Sequence, residues 1–379
     1  PASYTFTVRQ AVDQGQRHRA AFDQCWRTMR DYFYDGQLNH RNWDEVREKY
    51  SGMASEMNNP DGLARVISLM LGELNGSHLG FSYNRTAVNS RALAASMTAH
   101  LGLRFDRAHG GPGLKIADVL EGGPTSRKAS MVLQGELLLS VDGAPVDSST
   151  DLTTVLNGRL DRDMQIKVRN SEGKDRDIHL RPNSYGATRA MLYEKWVSDN
   201  RQVVEDLSDG KLAYLHIRAM NMSSFYRFER ELVEIAYGKS GLVIDVRENG
   251  GGSTTDHLLT ILTQPRHAIT VPRGGTQGYP QDRMVYARWD KPVVVLCNQN
   301  SFSNAEIFSH AIKTLERGQL VGVQTSGSVI STGSATIMDV GRLRVPFRGW
   351  YLLGDGEDME LNGAMPHHEI WPQPAEWPA

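Results

Sequence analysis

The residues best suited to nucleophilic chemistry are scattered. The first is Ser303. It follows Val293, Val294, Val295, Leu296 and Cys297, an apolar, β-branched run opened by Pro292. Such a run reads as a strand buried on both faces. After it, Ile307, Phe308, Ala311, Ile312 and Leu315 recur at helical spacing. Ser303 is therefore expected on a strand-to-helix turn, where free backbone N–H groups and the positive dipole end favour developing negative charge. A serine nucleophile needs that environment. A plain N-cap fits the same stretch, with Glu306 three residues on completing a capping box.

Three further stretches bear on the choice. Asn249-Gly250-Gly251-Gly252 follows an apolar run and precedes a helical pattern. It lacks the Lys-Ser/Thr ending of a P-loop and the spaced glycines of a dinucleotide site. Consecutive glycines do let backbone amides approach a ligand closely. With Ser303 they suggest an oxyanion hole, one donor from the glycine loop and one from the residue after the serine. A bare turn is the other reading. His78 sits in Gly76-Ser77-His78-Leu79-Gly80, a tight turn that places a hydroxyl beside the ring. Glu360 precedes an Asn-Gly turn and alone reads as a solvated carboxylate. His367 and His368 are adjacent, but no second ligand pair stands at a metal spacing, so no metal site is expected.

The elements that must position these groups fall into three parts. Residues 1–97 read as a helical cap carrying Ser77 and His78. Ala21, Phe22, Cys25, Trp26, Met29 and Phe33 lie on one helix face, a second short helix starts at Asn42-Trp43 and ends near Tyr50, and a third starts at Pro60. Residues 98–184 change to short strands and turns: strands over 101–105, 114–120, 135–143, 164–168 and 176–180, and short helices over 126–132 and from 152. Residues 185–379 alternate strand and helix, which implies βαβ units and a largely parallel sheet. The long connection over 265–289 has the length of a substrate loop or lid.

Bulk properties exclude several classes. The 379 residues are 40% hydrophobic and 23% charged, as in an ordinary globular protein of two or three domains. A formal charge of −2 offers no broad basic surface for nucleic acid. No apolar run reaches membrane-spanning length, and the N-terminus lacks a signal-peptide pattern. Cys25 and Cys297 make no disulfide framework, which fits a reducing, cytoplasmic setting.

Together these motifs resemble the tricorn protease family, the self-contained branch of the tail-specific (carboxyl-terminal processing) serine peptidases. The resemblance rests on Gly76-Ser77-His78, on 245–252 (Asp-Val-Arg-Glu-Asn-Gly-Gly-Gly), on 301–306 (Ser-Phe-Ser-Asn-Ala-Glu) and on Glu360-Leu361-Asn362-Gly363, and on their joint order along the chain. It matches the C-terminal catalytic half of tricorn. It implies an α/β (α+β multidomain) fold: helical cap, PDZ-like β module, and an α/β catalytic domain similar to the ClpP–crotonase superfamily. It implies Ser303 as nucleophile, His78 as general base, Ser77 and Glu360 to orient and polarise the imidazole, and the amides of Gly251 and Asn304 as oxyanion donors, with Gly250 in reserve. In the PDZ-like module, Leu101, Gly102 and Leu103 would form the carboxylate-binding loop for a peptide C-terminus. No cofactor is implied. The partners implied are peptide substrates and, by analogy, further copies of the chain in a hexamer.

The sister branch uses a Ser–Lys dyad whose lysine falls about 25 residues after the nucleophile. Here Ser328 stands there, and no lysine occurs from Leu315 to Ala379. The family's β-propeller domains have no counterpart in this sequence. The family's acidic specificity residue has no assigned position here: the stretch from Arg266 to Asp282 carries only Asp282 as a carboxylate. Three readings follow: a serine peptidase, a non-catalytic peptide-binding PDZ protein on an inactive peptidase scaffold, and a crotonase-type acyl-CoA enzyme.

Overall fold

The computed structural model describes residues 11–84, 97–265, 267–278 and 286–372. They fall into two compact units, one taking the chain up to Asn84 and again from Val204, the other lying between.

The first unit opens with three helices. Gln14–Tyr32 is capped by Asp13, whose carboxylate accepts the Gln16 N–H at 3.0 Å. Trp43–Glu56 is capped by Asn42, and Pro60–Gly72 by Asn59 with proline in its first turn. The second helix runs past Tyr50, because Ala54 continues the buried stripe of Trp43, Val46 and Tyr50. The helices bury Phe22, Trp26, Met29, Leu63 and Ile67 in one core with Ile337, Leu343 and Val345. Those last residues come from a three-stranded antiparallel sheet of Gly80–Tyr83, Gly341–Gly349 and Ile330–Ile337, with Gly341–Gly349 in the middle.

The rest of this unit is the parallel sheet expected from the strand–helix alternation. Its order is Leu212–His216, Gly241–Asp245, Val293–Cys297, Gln319–Gly322, His368–Glu369. Helices Met222–Glu234, Thr255–Thr263 and Asn304–Thr314 pack on it. Leu215, Ile244, Val295, Phe308 and Leu320 are among the residues of its core. The strands are short and apolar because both faces are covered.

The second unit is an antiparallel sheet of Leu103–Phe105, Leu114–Val119, Leu137–Val141, Met164–Arg169 and Asp175–Leu180, with Ala144–Pro145 on the third strand. A helix, Leu152–Leu156, follows an Asp151 cap, and a longer one, Tyr185–Leu207, starts in this unit and ends in the stretch of the first unit that begins at Val204. The helix expected over 126–132 is absent; the segment is a run of turns. Ser126 Oγ donates to the Gly123 carbonyl at 3.1 Å and Ser130 Oγ to the Pro124 carbonyl at 2.5 Å. Hydroxyls that bind local carbonyls in this way compete with helix.

Candidate active site

Two neighbouring parallel strands end side by side, Asp245 facing Leu296 in register. Ligand crevices in open α/β sheets form at such carboxyl ends. The glycine loop leaves the first strand and the Ser303 turn leaves the second. The two are tied directly: the Phe302 N–H donates to the Asn249 carbonyl at 2.9 Å, and Ser301 Oγ donates to the Val246 carbonyl at 2.8 Å. Ser301 is buried and its oxygen also accepts the Asn298 N–H at 3.0 Å, so it is a structural clasp.

Ser303 adopts φ 55° and ψ −117°, immediately before the helix Asn304–Thr314. A non-glycine residue there stores strain of about 1–3 kcal/mol and persists only when its surroundings hold it. The glycine loop supplies part of that hold. A Cβ on Gly251, itself at φ +85°, would lie 2.7 Å from both Ser303 Cβ and the Phe302 carbonyl oxygen, and 3.1 Å from the Asn304 nitrogen. Only glycine allows this approach. The Gly251 N–H is already given to Asn249 Oδ1 at 2.9 Å. Among the described residues, the amides of Gly250 and Asn304 have no acceptor. Asn304 is fixed by its Oδ1, which accepts the Thr255 N–H at 3.0 Å, and by its carbonyl, which accepts Thr255 Oγ1 at 2.8 Å.

His78 stands across from Ser303, Nε2 to Oγ 3.0 Å. It takes a left-handed φ of 61° just before the strand Gly80–Tyr83. The ring stacks on Phe302, centroids 4.7 Å apart. Its Nδ1 lies 2.5 Å from Ser77 Oγ, which in turn donates to Glu360 Oε2 at 2.9 Å. One hydroxyl has one proton. With that proton donated in the hydrogen bond to the carboxylate, Ser77 Oγ can only accept from His78, which fixes the Nδ1–H tautomer. The Nε2 lone pair is then left for the Ser303 hydroxyl. Burial, with a smaller contribution from Arg344, pushes the His78 imidazole down to about 4, so the ring is neutral at pH 7.

Glu360 is buried and also accepts the Ser77 N–H at 2.6 Å and the Val329 N–H at 2.8 Å. Burial raises its carboxyl, and these bonds oppose the rise. Glu306 is its counterpart on the serine side. It forms the capping box with Ser303, accepting the Ser303 N–H at 2.9 Å. The same carboxylate accepts Thr325 Oγ1 at 2.7 Å, the Ser328 N–H at 2.9 Å and the Gly327 N–H. Residues 325–329 thus connect the two carboxylates. Sequence reasoning gave Glu306 a capping role and missed this second one. The signal was the run Thr325-Ser326-Gly327-Ser328, dense in short donors, which was read only for its missing lysine.

The structure brings Ser303, His78, Ser77, Glu360, Gly251 and Asn304 together. His367 and His368 are elsewhere: His367 Nδ1 accepts the Leu320 N–H at 2.9 Å, and His368 pairs with Val321 in the sheet. Among the described residues, no group of three or more His, Cys, Asp or Glu could hold a metal ion. Asp282 lies outside the described residues. In the second unit, Leu101, Gly102 and Leu103 are buried, and the Gly102 N–H donates to His100 Nδ1 at 2.9 Å. Among the described residues no helix is long and apolar enough to cross a membrane.

Residues 211–370 match Peptidase family S41, and residues 15–72 match the Tricorn protease C1 domain. Tricorn protease homolog 1 of Streptomyces coelicolor is 30% identical over 378 residues, covering 97% of this chain and 34% of that protein. Tricorn protease of Thermoplasma volcanium is 25% identical over 355 residues, covering 91% of this chain and 33% of that one. The chain therefore spans about a third of the length of these relatives. The crystal structure of the tricorn protease superposes with a TM-score of 0.78 at 24% identity, over 94% of this chain and 34% of that one, and shares its fold. Over these stretches the chain is similar to Peptidase family S41 and to the tricorn proteases.

Proposed function

We propose that the chain is a serine peptidase that hydrolyses peptides through an acyl-enzyme. The observation that carries this is the continuous chain Ser303 Oγ, His78 Nε2, His78 Nδ1, Ser77 Oγ, Glu360 Oε2, with contacts of 3.0, 2.5 and 2.9 Å. Ser303 Oγ attacks the peptide carbonyl and its proton passes to His78 Nε2. The imidazolium donates through Nδ1 to Ser77, whose own hydroxyl donates to Glu360, so the carboxylate acts on the ring through a hydroxyl. His78 then protonates the leaving amine, and a water repeats the sequence to free the acid. The oxyanion is received by the Asn304 amide and by the glycine turn, where Gly250 has an open N–H and Gly251 would share the one it gives to Asn249.

The low basicity of His78 has a clear logic. A buried neutral ring needs no deprotonation at pH 7, and the oxyanion that forms beside it stabilises the imidazolium when it is needed. Replacing Ser303 with Ala tests the reading. Peptide hydrolysis should fall by roughly 10⁴-fold or more, with loss of labelling by a serine-directed reagent. Retention of either in the variant would overturn it.

We read the second unit as PDZ-like, within domains of 1–97, 98–184 and 185–379. A peptide carboxylate entering at Leu101, Gly102 and Leu103 must displace His100 from the Gly102 amide. Self-association and a cytoplasmic setting come by likeness to the tricorn group; light scattering and cell fractionation test them.

A further inference from the structure

The three-stranded sheet beside His78 has one face on the helical core and one in solvent. Leu343 and Val345 point into the core, so Arg342 and Arg344 alternate to the open face. In register with Arg344 stand Gly80 and Ser334, and with Arg342 stand Ser82 and Thr336. Ser82, Ser334, Thr336, Arg342 and Arg344 are all exposed. No carboxylate lies at any of these positions. Several arginines of the chain are paired with carboxylates, as Arg17 is with Asp339, Arg47 with Asp23 and Arg169 with Asp175. Arg342 and Arg344 are held by hydroxyls instead: Arg342 Nη2 donates to Ser334 Oγ at 2.7 Å, and Arg344 Nε to Thr332 Oγ1 at 3.4 Å.

This is anion-recognition chemistry. Each guanidinium has five N–H donors in a planar fork, and most stay available. The accepting serine keeps its own proton and can donate it. The location ties the face to the site. Gly80, opposite Arg344, is two residues from His78, and the strand Ile330–Ile337 starts directly after Val329, which binds Glu360. The charge of Arg344 also helps hold His78 neutral, which is consistent with that proximity.

We propose that Arg342 and Arg344 form an extended subsite selecting peptide substrates with acidic side chains at alternate positions. Two arginines two positions apart on a strand sit about 6.6 Å from each other, the spacing of same-side residues in an extended peptide. A single terminal carboxylate would use only one of them, so paired Asp or Glu side chains are the occupant that fits. The inference rests on the peptidase reading for its substrate.

The test uses the whole chain with Ser303→Ala, to prevent turnover, and N-acetylated, C-terminally amidated decapeptides. One carries Glu-Ala-Glu, the other Gln-Ala-Gln. Calorimetry should show the Glu peptide binding about 10-fold tighter. Arg342→Gln with Arg344→Gln should erase that difference while leaving the Gln peptide unchanged, and 0.5 M salt should shrink it. Equal binding of the two peptides, or a preference that survives the arginine replacements, would overturn the proposal. So would a Gln peptide with a free C-terminus that gains as much as the Glu peptide. Labelling of the Ser303-containing chain by a serine-directed reagent is scored separately. Its failure strikes the peptidase reading and leaves the binding preference standing or falling alone.

Discussion

Glu306 and Glu360 are both buried, at 0% and 4% exposure, and burial raises both carboxyls. Each receives backbone amides from residues 327–329. Their further partners differ. Glu306 binds a hydroxyl and amides that do not touch the His78 ring and fixes the backbone of Ser303. Glu360 binds the hydroxyl that touches the imidazole. One carboxylate holds the serine turn, and the other also reaches the His78 ring through the Ser77 hydroxyl. A buried acid is therefore read by what its partners touch.

Replacements on the two sides should separate these roles. The largest effect is expected from Gly251→Ala. The added methyl meets Ser303 and the Phe302 carbonyl at 2.7 Å in a backbone conformation that alanine resists. Hydrolysis should be lost and stability reduced by about 2–4 kcal/mol, read by peptide assay and denaturant unfolding. Glu306→Ala comes next. It strands a hydroxyl and several amides and should cost about 3 kcal/mol of stability. Glu360→Gln should invert the pattern, with kcat down about 10²-fold or more, KM little changed and a smaller stability loss. If the two variants lose activity and stability in equal proportion, the division of roles fails. Ser77→Ala is milder in stability, about 1 kcal/mol, yet should still reduce kcat because the ring loses its Nδ1 acceptor.

The smallest effect is in pH dependence. His78 has a folded value of about 4, below the 6.5 of a free ring, so the unfolded chain binds more protons between those values. Its contribution to stability is full above pH 6.5 and is lost as pH falls through about 4. The raised carboxyls have the opposite sign: their protonation as pH falls favours the folded state. Urea midpoints from pH 7 to 5 should fall more steeply for the parent chain than for His78→Gln. Parallel curves would show that the ring is not depressed. On the kinetic side, the acid limb of kcat/KM should lie below pH 6.5.

The serine side was legible because it is local. An apolar run, a turn and helical spacing place Ser303 within about ten residues, and the capping box is written in Ser303 and Glu306. The base side was not legible from its own residues. Ser77 and Glu360 are 283 positions apart, and a carboxylate before Asn362-Gly363 reads as solvated until a fold buries it. Only the joint order of motifs singled it out. The strands Ile330–Ile337 and Gly341–Gly349 were missed because Arg342, Arg344 and the serines and threonines opposite them weaken the apolar signal on the open face. The turns over 126–132 passed for a helix because hydroxyl-to-carbonyl bonds leave no periodic trace.

Gly327, Ser328 and Val329 give consecutive amides to two different carboxylates, the first two to Glu306 and the third to Glu360. These N–H groups can exchange with solvent only when one or both anchors let go. Their exchange rates therefore form a built-in gauge of site assembly that needs no substrate. Slow exchange at all three marks a site with serine and base both seated. Fast exchange at Val329 alone marks a loosened Glu360, and fast exchange at Gly327 and Ser328 marks a loosened Glu306.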